Sequence, residues 1–194
     1  MNLKRYNVPP RYTNAQASDF PDNVRNLVRA GLAGPGFFIF GPVGVGKTHL
    51  SVAILRAWIE TGVVLTDKLS GMKLWGSKVV SAAYLSVHDL LGEIKATFDR
   101  DSGGSESQII ARYGHHTKGL ILDDIGREHK TEWAMSIMYS VVEKRVSAML
   151  PTIVTSNFGL EEIGEWDDAV ASRLGGLCQI QLRGEDKRKQ EAVT

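Results

Sequence analysis

The apolar positions of this chain fall in blocks whose period changes from one to the next. Residues 37–40 are Phe-Phe-Ile-Phe, a short run with no polar side, as expected of a strand covered on both faces. Leu50, Ala53, Ile54, Ala57 and Trp58 then recur at helical spacing, which predicts a helix to about residue 61. Residues 79–87 read as a second strand. Residues 88–98 read as an amphipathic helix through Leu90, Leu91, Ile94 and Phe98. After a flexible loop at 101–105, residues 107–113 form a short helix, and 119–125 form a continuously apolar strand that ends in acids. Residues 131–149 predict a helix with Trp133, Ile137, Met138, Val141 and Val142 on one face, stopped by Pro151. Residues 152–155 are another buried strand, 161–174 a helix and 178–182 the last strand. The first 36 residues are polar, broken by Pro9-Pro10 and Pro35, with one helix over 20–32 capped by Asp19 or Asp22. Residues 62–78 read as an irregular or hairpin insertion, and the charged tail after Gly184 reads as loose.

Strands that alternate with helices, two of them apolar throughout, imply a mostly parallel five-stranded sheet with helices on both faces, a three-layer α/β/α sandwich. In such sheets ligands bind at the carboxyl ends of the strands. Three polar segments fall there, and they carry the chemistry.

The first is Gly41-Pro42-Val43-Gly44-Val45-Gly46-Lys47-Thr48, which satisfies the G-x-x-x-x-G-K-[ST] phosphate loop between a strand and a helix. Its glycines let successive N–H groups turn toward one phosphate chain, and the helix N-terminus adds partial positive charge. Lys47 is placed to reach the β- and γ-phosphates, and the Thr48 hydroxyl to ligate Mg²⁺. With His49, residues 41–49 form the expected ATP-binding set. The second segment is Leu120-Ile121-Leu122-Asp123-Asp124, the form of a Walker B strand. Asp123 is expected to hold Mg²⁺ and Asp124 to act as general base on the attacking water. Asp124 is one methylene shorter than glutamate, so hydrolysis to ADP and phosphate is expected to be slow. The third is Thr155-Ser156-Asn157, in which Asn157 is the choice for sensing the γ-phosphate and positioning the water.

Composition narrows the context. A net charge of +1 gives the whole chain no general attraction for nucleic acid, so any such surface is a local patch. The basic residues Lys68, Lys73, Lys78, Lys95, Arg100 and Arg112 are the candidates. Cys178, the single cysteine, excludes an internal disulfide framework, suits a cytoplasmic location and is expected to be a small core residue. No apolar run reaches membrane-spanning length, and none of the five histidines has a partner at zinc-ligand spacing.

GPVGVGKTHL, LILDDIG, LPTIVTSNF, ASRL and the closing GEDKR occur in an order and spacing that resembles the DnaC/IstB-like AAA+ ATPases, and the opening PPRYTNA resembles the segment that precedes their core. The likeness covers about residues 9–188. It implies an AAA+ P-loop fold without a C-terminal lid domain. It divides the chain into an N-terminal segment (1–36) packed near the nucleotide, an ATPase core (37–188) and a flexible tail (189–194). It also implies that Asn157 is the sensor-1 residue and that Arg173 is an arginine finger entering the site of a neighbouring subunit. Tyr12 and Asn14 would lie near the adenine and Arg188 near the nucleotide. The helices between 88 and 116 would match an insertion that helps bind single-stranded DNA. The function implied is an ATP-dependent helicase loader that assembles on single-stranded DNA and delivers a replicative helicase. Two alternatives stand beside it. One is an IstB-type transposition ATPase acting with a transposase, which shares every catalytic residue. The other, of a different class, is a nucleotide kinase, which needs an arginine-rich lid that residues 99–118 do not supply.

Overall fold

A computed structural model describes residues 2–32, 34–61, 82–98, 104–126 and 131–186. The expected insertion at 62–78, Arg100, the 101–103 part of the loop, Arg188 and the tail from residue 187 on lie outside the described residues.

Five strands form one sheet in the order β2-β3-β4-β1-β5, and every neighbouring pair is parallel. They are β1 (Gly36–Phe40), β2 (Ala82–Ser86), β3 (Gly119–Ile125), β4 (Thr152–Ser156) and β5 (Cys178–Gln181). The sheet separates two apolar layers. On one side Phe37, Ile39, Ile121, Ile153 and Ile180 pack with α1 (Asp22–Gly31), α2 (Lys47–Thr61) and the N-terminal segment through Leu3, Tyr6 and Val8. On the other, Phe38, Leu120, Leu122 and Val154 pack with α3 (Val87–Ala96), α4 (Glu106–Ala111), α5 (Glu132–Ser147), α6 (Leu160–Gly164) and α7 (Asp168–Gly175). Successive strand residues therefore face opposite layers, and both faces are apolar, which is why β1, β3 and β4 carry no polar alternation.

The elements follow the hydrophobic pattern with several departures. The helix expected over 88–98 spans Val87–Ala96, and Phe98, expected on its apolar face, is exposed. Residues 161–174 form two helices, not one. Asp167 caps α7 by accepting from the Val170 N–H at 2.9 Å, and the chain turns between Gly164 and Asp167. The short helix α4 continues into a π turn, Arg112–His116. Helix α5 ends before Pro151, with Ala148 as its C-cap and Met149 left-handed at φ 53°. Cys178 is partly exposed at the edge of the α1-side layer, and burial pushes its thiol pKa up.

A guanidinium fixes the amino-end side of the sheet. Arg145 of α5 is fully buried. It donates from Nη1 to the Tyr113 and Thr117 carbonyls, from Nη2 to those of Lys118 and Pro151, and from Nε to Thr152 Oγ1, at 2.5–3.0 Å. The π turn and the starts of β3 and β4 are thus tied to one side chain. Burial lowers its pKa to about 9, which leaves it cationic at neutral pH.

Candidate nucleotide site

The carboxyl ends of β1, β3 and β4 open on a cavity of about 390 Å³. Gly41, Gly44 and Gly46 have φ of +143°, +78° and +104°, which L side chains rarely adopt. At Gly41 a Cβ would stand 2.1 Å from the Leu182 carbonyl, and at Gly44 1.8 Å from the Asp186 carboxylate. Glycine is required at both. Val45 is buried in the α2-side layer and does not line the cavity, while Val43 is exposed at the rim. The loop runs directly into α2 at Lys47, which brings the helix N-terminus to the cavity.

Lys47 is nearly buried, and its ammonium donates to the Gly41 and Pro42 carbonyls at 2.8 and 2.7 Å and to Asn157 Oδ1 at 2.7 Å. Asn157 in turn donates from Nδ2 to Asp124 Oδ1 at 3.0 Å. One amide therefore bridges the lysine and the second acid.

The two acids share the cavity because β3 carries an extra residue there. Leu122 is in register with Val154 and Ile125 with Ser156, so three steps on β3 match two on β4. In a regular strand Asp123 and Asp124 would point to opposite faces. The bulge, with Asp124 left-handed at φ 66°, aims both carboxylates into the cavity. Aspartate is among the residues that tolerate this region. Thr155 secures the distortion by accepting the Asp124 N–H at 2.9 Å and donating to Asp123 Oδ1 at 2.6 Å. Ser156 donates to the Ile125 carbonyl at 2.9 Å and pins the far side of the bulge.

Asp123 is almost fully buried. Its carboxylate accepts from Thr48 Oγ1 at 3.1 Å to each oxygen, from Thr155, and from the Tyr84 hydroxyl at 2.6 Å. Burial, then the neighbouring Asp123 charge, raise the Tyr84 pKa far above that of a free phenol, so this hydroxyl stays protonated as a donor. The Thr48 hydroxyl and the Asp123 carboxylate are hard oxygen donors of the kind Mg²⁺ prefers, and they fit that ion.

The N-terminal segment closes the other wall. Arg11, Tyr12, Asp19 and Phe20 line the cavity opposite the phosphate loop. His49 meets Asp19 Oδ2 at 2.7 Å and lies beside the rings of Phe20 and Tyr12. Arg56 of α2 fastens the segment by donating to the Thr13 and Ala15 carbonyls. Asn14, expected near the base, is exposed and does not line the cavity. Arg173 also stands apart from it. On α7 it forms an ion pair with Glu143 and lies 5.9 Å from the Tyr139 ring centre.

Tyr84, Thr155, Arg11, Asp19 and Phe20 received no role in the site from the sequence. Asp19, expected as a cap of the helix over 20–32, instead lines the cavity, and α1 starts after Pro21 with no side-chain cap. Thr155 stood in the polar segment already singled out. Tyr84 reads simply as a core strand residue, and the Asp19–His49 pair is too far apart in sequence to be seen.

A glycine-rich loop between β1 and α2, with paired acids at the carboxyl end of β3, one strand beyond β1's neighbour β4 in the same parallel sheet, has the form of a P-loop nucleotide site. Residues 19–191 match the IstB-like ATP binding protein family, and the chain belongs to that family. It is 27% identical over 170 residues to the replicative helicase loader DnaI of Bacillus subtilis (strain 168), covering 80% of this chain and 48% of that protein. The chain thus spans about half the length of that curated relative. Its fold is shared with the crystal structure of the DnaC helicase loader, at a TM-score of 0.66 and 20% identity over 90% of this chain and all of that one. It is also shared with replication initiator DnaA bound to AMPPCP and single-stranded DNA, at a TM-score of 0.67 and 17% identity, covering 95% of this chain and 56% of that one. Among the described residues no helix is long and apolar enough to cross a membrane.

Proposed function

We propose that the chain is the ATPase engine of a helicase loader, which assembles on single-stranded DNA and delivers a replicative helicase. The observation that carries the reading is the convergence of Lys47, Thr48, Asp123, Asp124 and Asn157 in one cavity, in a chain related to a replicative helicase loader. The sharing of its fold with an initiator bound to single-stranded DNA supports the DNA step.

Lys47 and the loop N–H groups hold the β- and γ-phosphates. Thr48 and Asp123 hold Mg²⁺, which when bound neutralises charge on the phosphate oxygens. Asp124 accepts the proton of the attacking water, and Asn157 fixes Asp124 relative to Lys47. The aromatic wall of Tyr12 and Phe20 accommodates the base. Arg173 acts in trans: it leaves Glu143 and enters the site of a neighbouring subunit, where it stabilises transition-state charge.

The match to the IstB-like family favours a second reading, transposition ATPase acting with a transposase. One pull-down separates the two. The purified chain is mixed with the replicative helicase or a transposase of its host, with a non-hydrolysable ATP analogue or with ADP. Capture of the helicase that depends on the ATP analogue supports the loader. Capture of the transposase alone replaces it with the second reading.

A further inference from the structure

Asp123 receives hydroxyl donors from three separate elements. Thr48 comes from α2, Thr155 from β4 on Oδ1, and Tyr84 from β2 on Oδ2. The first two lie in segments already recognisable as site segments. Tyr84 is on the strand at the sheet's edge, in register with Ile121. Ile121 is two residues before Asp123, so all three side chains face the α2 layer, and the phenol spans the remaining rise of about 7 Å along the strand. The Tyr84 ring packs against the apolar residues of that layer, where a phenyl ring would fill the same space. Packing therefore explains the ring but not the hydroxyl, which donates to Asp123 Oδ2 at 2.6 Å.

A carboxylate with one oxygen fixed by β2 and the other by β4 cannot rotate. Its remaining lone pairs are set relative to Thr48 before any cation arrives. We propose that Tyr84 is a positioning residue for the divalent cation: its hydroxyl locks the Asp123 carboxylate in the orientation that binds the metal. This rests on the reading of Asp123 and Thr48 as metal ligands. Partners that orient a ligating carboxylate are generally worth about 10- to 100-fold in metal affinity.

The test is binding, not turnover. A fluorescent non-hydrolysable ATP analogue is titrated into wild type, Tyr84→Phe and Asp123→Asn, once with Mg²⁺ and once with EDTA. The readout is the affinity gained from Mg²⁺. Wild type should gain from Mg²⁺ and Asp123→Asn should lose the gain. Tyr84→Phe should lose about tenfold of it while its affinity in EDTA stays at the wild-type level. An EDTA affinity that falls with the Mg²⁺ affinity would mean that the phenol supports the fold of the site and not the cation, and would overturn the proposal. So would a Tyr84→Phe protein with the full Mg²⁺ gain, provided Asp123→Asn has lost it. If Asp123→Asn keeps the full gain, the metal-ligand reading beneath the proposal fails first.

Discussion

Replacing Arg145 with methionine removes a buried cation that has four carbonyls and a hydroxyl around it. Methionine is of similar length and apolar, so the cost lies in polar groups left without a donor. The Pro151 carbonyl keeps the Leu120 N–H at 3.0 Å, and each carbonyl left without a donor costs about 1–3 kcal/mol, which for Tyr113, Thr117 and Lys118 sums to about 3–9 kcal/mol. Against this stands the relief of no longer burying a charge, several kcal/mol. The net expectation is a loss of about 3–5 kcal/mol, a large share of the ~5–15 kcal/mol that holds a domain together. Arg145→Lys should lose about half as much, since an ammonium has three donors for five acceptors. Urea unfolding with linear extrapolation measures both, and the slope should stay constant if the native state keeps its compactness. The guanidinium sits at the amino ends of β3 and β4, so nucleotide affinity of the folded fraction should not change. A loss below about 1 kcal/mol for Arg145→Met would refute the argument, because it would mean that the carbonyls find other donors without help.

Three further outcomes follow from the site. Lys47→Ala should weaken nucleotide binding by about 100-fold, the worth of ~3 kcal/mol of charge-assisted contact, and fluorescence titration checks it. Asp124→Asn should still bind ATP but hydrolyse it about 10²- to 10⁴-fold more slowly in a phosphate-release assay, because an amide cannot take the water's proton. Arg173→Ala should bind nucleotide normally and lose about 10³-fold or more in turnover. Mixed with Asp124→Asn it should recover activity, since one chain supplies an intact site and the other an intact finger. A mixture no more active than the sum of its parts would remove Arg173 from the mechanism.

The elements that carry the site were legible because their chemistry is local. The phosphate loop is contiguous, sits between an apolar strand and a helical period, and needs glycine where the backbone turns left-handed. β3 was read at its observed bounds, since a run of apolar residues ending in two acids admits few alternatives. The bulge that turns both acids inward was not legible, because it depends on register with β4. Neither was the burial of Arg145, since a basic residue near the end of an amphipathic helix ordinarily faces water. The break between α6 and α7 did have signals, Gly164 and the capping Asp167, but a continuous helical period of apolar residues outweighed them.

The order of strands in the sheet bears on how the protein is made. β1, which launches the phosphate loop, lies between β4 and β5: Phe37 is in register with Ile153 on one side and with Cys178 on the other. Both flanks of this strand, β4 and β5, are synthesised long after it. A nascent polypeptide can form α2, yet it holds the loop without the strands that shape it until residue 181 has left the ribosome. Such distant parallel pairings close long loops and fold slowly. Nucleotide binding by ribosome-bound chains of increasing length should therefore begin abruptly, once residue 181 has emerged, and report the moment at which β5 joins the sheet.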